Sequence, residues 1–213
     1  MKRTLLFFFI LLPFVVLANN EKETRLGVSL QKKISKNLDF KFTPSIRLND
    51  FYTYDKSLLD LRVGYNIMNW FKIGIGGRII FDKSTNTGTQ IKSRFDYEIS
   101  KSIKLNKFLL SPRVRLSQFG NYKNTVKSAD KPIFCYLLKL FYQHSKSSLF
   151  VPSLALEPRH SISKNQIYTL RYIMGTDLKI NKTSSFGLFY LLDQKIISRT
   201  EKHSLELTYN YKF

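Results

Sequence analysis

Apolar and polar residues alternate at period two along almost the whole chain after residue 24, and the pattern is cleanest at its end. There Leu205, Leu207, Tyr209, Tyr211 and Phe213 interleave with Ser204, Glu206, Thr208, Asn210 and Lys212. A strand throws successive side chains to opposite sides, so this segment reads as a strand with one oily and one wet face. The same alternation predicts strands at 24–34, 38–48, 57–67, 70–81, 89–99, 108–119, 132–143, 149–158, 167–180, 185–193 and 203–213. Each has roughly the 9–12 residues that a tilted strand needs to cross a bilayer. Short connections at 35–37, 68–69, 144–148 and 181–184 alternate with longer polar ones at 49–56, 82–88, 120–131, 160–166 and 194–202. Tight turns on the periplasmic side and longer loops outside are the habit of outer-membrane barrels. Residues 100–107 read either as a long turn or as a continued strand.

The pattern therefore predicts an all-β, antiparallel up-and-down transmembrane β-barrel of about 10–12 strands. Bacterial barrels of this kind have even numbers of strands, so the eleven segments found here pose a conflict. Counted back from the C-terminus, segment 24–34 runs the wrong way. Twelve strands are favoured, with one missed or merged; otherwise the first segment is not a regular wall strand.

Alternation alone also suits a soluble sandwich or a lipocalin. Three features separate the membrane reading. Charges sit at mid-strand on the wet face. Aromatic residues crowd strand ends (Tyr52, Tyr54, Trp70, Phe71, Phe81, Phe108, Phe119, Tyr142, Phe150, Phe186), as amphipathic rings do at membrane interfaces. The chain ends in Tyr209-x-Tyr211-x-Phe213, the sorting signature of outer-membrane barrels.

Ahead of the strands, Lys2 and Arg3 precede an almost wholly apolar run from Leu5 to Leu17, closed by Val16-Leu17-Ala18. This is a cleavable secretory signal over 1–18, followed by a single barrel domain over 19–213. At about 13 residues the run is short of the ~20 that a helical span needs. Export also recasts the charge. A net charge of +20 would point to nucleic acid in a cytosolic chain, but an exported one does not meet it. Outer-membrane lipid and lipopolysaccharide are the expected partners, with the barrel-assembly machinery during insertion. Much of the excess is lysine in turns and loops. The single Cys135 excludes an intramolecular disulfide and a CxxC site.

The segments Leu61-Arg-Val-Gly-Tyr-Asn-Ile-Met-Asn-Trp-Phe-Lys-Ile-Gly-Ile-Gly-Gly-Arg78 and Leu170-Arg-Tyr-Ile-Met-Gly-Thr-Asp-Leu-Lys-Ile-Asn-Lys182 resemble hairpins of an uncharacterised outer-membrane barrel family, the domain of unknown function twenty-four-ninety. Leu30-Gln-Lys-Lys-Ile-Ser-Lys-Asn-Leu-Asp-Phe resembles its opening hairpin. The resemblance implies fold and location and supplies no mechanism. The strongly basic loops here depart from it.

Arginine carries the chemistry. Arg47, Arg62, Arg78, Arg94, Arg113, Arg115 and Arg171 fall on inward positions, with Asp60, Asp96, Glu98, Glu157, Asp177 and Glu206 on the same face. A planar guanidinium holds two carboxylate oxygens and stays charged when partly dehydrated. The charge layer formed by Arg62, Arg78, Arg94, Arg113, Arg115, Arg171, Asp60, Asp96, Glu157 and Glu206 has two readings. It is a structural plug of interlocked pairs, which is favoured, or a narrow constriction passing small anions. Gly27, Gly64, Gly74, Gly76, Gly175 and Gly187 share the inner face and make room for long side chains.

An enzymatic alternative, a lipid or peptide hydrolase or acyl transferase, needs a site at the outer rim. There His160 and His203 lie near Ser161, Ser163, Asp193 and Ser204, while His144 belongs to a periplasmic turn. Serines fill every loop, so no catalytic residue is assigned, and no cofactor or metal is expected. If the leader is cleaved as read, N-terminal sequencing of the exported protein begins at Asn19; a chain that begins at Met1 overturns that assignment.

Overall fold

The computed structural model describes residues 21–84, 88–123, 126–129, 132–143 and 148–213; the expected leader, with Lys2 and Arg3, and His144 lie outside them. The elements are β1 (Glu21–Lys33), β2 (Leu38–Asn49), β3 (Thr53–Met68), β4 (Phe71–Ser84), β5 (Gly88–Lys101), β6 (Ile103–Leu105), β7 (Phe108–Lys123), β8 (Val126–Ala129), β9 (Ile133–Tyr142), β10 (Phe150–Ser161), β11 (Gln166–Lys179), β12 (Ser184–Lys195) and β13 (Thr200–Lys212). No helix occurs among the described residues.

Sequential antiparallel pairing runs from β1 to β5, and β5 joins β7 from Ile91↔Tyr122 to Ser100↔Arg113. The sheet continues through β9 to β13, and β13 returns to β1, so eleven strands close a ring. The short β6 and β8 pair with the two ends of β7 and add no wall. Residues 100–107 thus combine a continued strand, a short bridge strand and a turn.

Closure corrects the expected topology. β1 and β13 run parallel from Glu21↔Lys202 to Gln31↔Lys212. The ring has eleven strands rather than twelve, and it is mixed rather than wholly antiparallel. The physical reason is parity. Strands joined in up-and-down order alternate in direction, so an odd number brings first and last together pointing the same way. The segment that seemed to run wrongly is a regular wall strand. In consequence residue 21 lies at one rim, with the turns 50–52, 162–165 and 196–199. Phe213 lies at the other, with 34–37, 69–70, 102–107 and 180–183. These are the N-terminal rim and the C-terminal rim below. The backbone N–H of Phe213 donates to the carbonyl of Gln31 at 2.9 Å, which fastens the terminus across the parallel seam.

The expected long loops at 49–56, 160–166 and 194–202 are partly strand. Thr53, Ser161 and Gln194 all pair across the ladder, leaving connections of 50–52, 162–165 and 196–199. Backbone pairing does not depend on side-chain polarity, so strands extend beyond the apolar band. Asn165 and Arg199 turn the chain with positive φ of 46° and 53°.

The two faces are inverted relative to a water-soluble domain. Ile75 is 58% exposed, Leu154 59% and Tyr97 58%, whereas Asp96 and Glu157 are each 3% exposed. Tyr209 points outward, on the face it shares with the half-buried Leu205 and Leu207. Phe119 corrects an expectation: it alternates with the inward Ser117, and the Arg94 guanidinium lies 5.9 Å from its ring. It serves the interior rather than an interfacial belt.

Two inner glycines are required by a ring. Phe189 lies flat against the wall, so a Cβ on Gly175 would stand 2.5 Å from its Cδ1 and still closer to the Leu188 carbonyl oxygen. A Cβ on Gly187 would meet Phe189 Cε2 at 2.8 Å. Outward-facing Gly77 has open space around it. Gly175→Ala is therefore expected to destabilise the folded barrel by about 1–3 kcal/mol, read as a lower urea midpoint, while Gly77→Ala leaves the midpoint close to native. Equal midpoints would remove the packing role given to Phe189.

Candidate functional site: an arginine–carboxylate girdle

Ionised groups inside a narrow cylinder are stable only when they are matched, because lost hydration must be replaced by partners of opposite charge. Alternation places such partners on neighbouring strands. On β3, Asp60 accepts from Arg62 Nε at 3.0 Å and from Arg78 of β4, with Arg94 of β5 3.9 Å away. On β5, Asp96 accepts from Arg94 at 2.7 Å and from the Ser117 hydroxyl of β7 at 2.6 Å. Glu98 takes Arg62 at 3.0 Å and meets Arg113 of β7 at 3.7 Å.

Glu157 on β10 is the hub. Arg159 donates to it at 2.8 Å, and Arg115, Arg113 and Arg171 follow at 3.6, 3.7 and 3.9 Å. Arg171 of β11 donates to Asp193 of β12, which faces Arg25 of β1 at 3.9 Å. Arg25 closes on Glu23, which also holds Lys202 at 2.8 Å and Arg47 of β2 at 3.8 Å. Glu206 of β13 joins through Arg25 at 3.8 Å. Among the described residues the path crosses every wall strand except β9, where Cys135 is buried between Arg115 and Arg159 in register.

All ten residues of the expected charge layer lie on this face and take part, with Glu206 at its edge and its side chain 36% exposed. Sequence reasoning placed Arg47 and Glu98 inward but left them out of the layer, and it missed Glu23, Arg25, Arg159 and Asp193. The signal for Arg25 was present, since the alternation that puts Gly27 inward puts Arg25 there too. Arg159 lay past the expected strand end, beside the register shift between Arg159 and His160.

The girdle fills the half of the lumen near the N-terminal rim. Toward the C-terminal rim the interior is half-exposed and two-sided. One wall carries Gln31, Lys41 and Thr208; the other sets the apolar Leu137, Phe141, Ala155, Ile173 and Phe189 beside the charged Lys139 and Asp177. The Lys139 ammonium sits 4.5 Å from the Phe141 ring and 4.8 Å from Phe189.

The outer-rim set drawn for the enzymatic alternative is not assembled. Ser204 and Asp193 face the lumen, while His203 leaves the opposite side of the wall and meets the Tyr190 hydroxyl through Nδ1 at 2.5 Å. His160 is paired with outward Phe134. No cluster able to hold a metal ion occurs among the described residues.

The chain matches the family model described as a protein of unknown function (DUF2490) over residues 26–204, and it belongs to that family. The match spans β1 to β13 and so takes in nearly the whole ring. No curated protein matches the chain.

Removing one partner of a buried ion cluster leaves uncompensated charge, at a cost of about 3–5 kcal/mol. Glu157→Gln should reach that range in equilibrium unfolding, because it orphans the arginines around it. Glu21→Gln is the control: its partner Lys195 lies 3.4 Å away at an exposed rim, and such pairs contribute little. Comparable stability of both variants would show that Glu157 is not a hub.

Proposed function

We propose that the chain is an integral outer-membrane β-barrel of a Gram-negative-type bacterium, structural in its resting state, with a lumen closed by the arginine–carboxylate girdle. The observation that carries this reading is the inversion of polarity, with isoleucine, leucine and tyrosine exposed outside and paired ions buried inside. Water would not tolerate so continuous an apolar exterior, whereas lipid requires it. A ring without free strand edges satisfies every ladder hydrogen bond in a medium that offers none. The alternating aromatic run Tyr209-x-Tyr211-x-Phe213 supports insertion with the C-terminal rim toward the periplasm, which leaves the N-terminal rim outside.

The resting girdle blocks through-flow. If the girdle parts, the opening is a narrow pore. Nine arginines against seven carboxylates in the girdle would then favour anions.

The test is fractionation followed by electrical recording. The native protein is expected in the outer-membrane fraction and, in planar bilayers, should give no sustained conductance. Recovery in the soluble periplasmic extract overturns the membrane reading. Steady native conductance overturns the closed lumen and leaves an open channel in its place.

A further inference from the structure

The two rims differ in the company their lysines keep. At the N-terminal rim cations and carboxylates are mixed: Lys56 meets Asp55 at 2.7 Å, Lys92 meets Asp82, and Lys195 meets Glu21 at 3.4 Å. At the C-terminal rim the pattern changes. The end of β1 carries exposed Lys32 and Lys33, and the turn to β2 carries exposed Lys36. The segment from β5 to β7 carries exposed Lys101, Lys104 and Lys107. Exposed Lys182 lies between β11 and β12, and exposed Lys212 ends β13. No Asp or Glu occurs in 34–37, 69–70, 102–107 or 180–183. The nearest carboxylates, Asp39, Glu98 and Asp177, face the lumen, where Lys72 holds Asp39 and Arg62 holds Glu98.

An unbalanced ring of positive charge costs stability by self-repulsion unless an anionic partner lies against it. What surrounds the ring identifies the partner. Phe108, Tyr142 and Phe150 stand just inside it on the outward face and Trp70 in the rim turn 69–70; all four are exposed, and Phe108 and Tyr142 are 5.3 Å apart. The Lys101 ammonium lies 4.7 Å from the Trp70 ring. Amphipathic rings beneath long flexible cations make the sequence of layers that a bilayer presents from acyl chain to headgroup. The lysines are also spread around the circumference. An acidic protein would need a patch on one side, whereas a lipid leaflet meets the rim from every direction.

From this we infer that the C-terminal rim binds the anionic headgroups of phospholipids, with the exposed lysines pairing phosphate groups over the aromatic belt. The inference rests on the membrane-spanning reading above and adds the lipid class that this rim selects. Phosphates are recognised here by several mobile point charges rather than by a rigid fork, so the contact is selective for charge and tolerant of headgroup shape.

The experiment places folded protein in vesicles of phosphatidylcholine, alone or with a minor fraction of phosphatidylglycerol. The lipid that stays with the protein on gentle extraction is then measured by native mass spectrometry. The native chain should retain phosphatidylglycerol roughly tenfold above its bulk fraction. A K33Q/K36Q/K104Q/K107Q/K182Q variant should lose most of that enrichment, and K83Q/K164Q/K195Q, at the other rim, should keep it. These positions lie in or beside turns, and protease protection in the vesicle confirms that each variant is inserted. Insertion of the native protein without enrichment, or enrichment equal in both variants, overturns the inference and leaves the barrel reading standing. Retention of a poly-glutamate peptide in place of lipid overturns it in favour of an acidic protein partner. Failure of the native chain to insert in either vesicle removes the membrane reading itself.

Discussion

Charge inside a narrow ring must be answered by charge, and the interior of this molecule is organised by that requirement. A carboxylate such as Glu157 could not remain ionised at 3% exposure without the arginines around it. Those arginines in turn come from three strands, two from β7 and one each from β10 and β11, so the network ties the wall together across β9 as well as along its ladders. The strength of such a network lies in specificity rather than in net stabilisation. Any slip of one strand by a residue would turn its arginine into the apolar exterior.

Register is therefore enforced from both faces, and this matters most at the seam. Parallel pairing between β1 and β13 cannot be held by a tight turn, since the two strands are the ends of the chain. Instead Arg25 bridges Glu23, Asp193 and Glu206 inside the wall, while the backbone of Phe213 hydrogen-bonds Gln31 at its edge. Side chains from β1, β12 and β13 thus clamp the junction that topology leaves unlinked. Replacing the last aromatic by another large residue leaves this backbone bond intact, so closure does not depend on the ring of Phe213.

Much of the fold was legible because side-chain alternation is a direct record of a strand with two environments. Each of the eleven expected segments is a wall strand, and Arg62, Arg78, Arg94 and Arg171 face inward as alternation required. The direction of closure was not legible, because pairing polarity is a property of backbone and parity and leaves no mark on any single residue. Strand ends were underestimated for a related reason: Thr53, Ser161 and Gln194 are polar, yet their backbones pair like any other. Asp193 was placed at the rim from its position at an expected strand end, whereas two further residues of strand carry it onto the girdle. Phe119 was assigned to an interfacial belt from its chemistry alone, although its phase follows Ser117.

The two sets of charges obey different physics, and that difference separates their roles. Girdle ions are buried or half-buried and paired with one another, so dissolved salt reaches them far less. Rim lysines such as Lys33, Lys104 and Lys182 stand in water, where the field of each is screened within about 8 Å at physiological ionic strength. Raising salt should thus weaken whatever the rim holds while leaving the girdle as it is. The reverse dependence, a lumen that loosens with salt under an unaltered rim, would mean that water penetrates the girdle freely and that its pairs are not what closes it. An interior governed by mutual pairing and an exterior governed by the surrounding medium can evolve apart, and the rim lysines can change without touching the arginines.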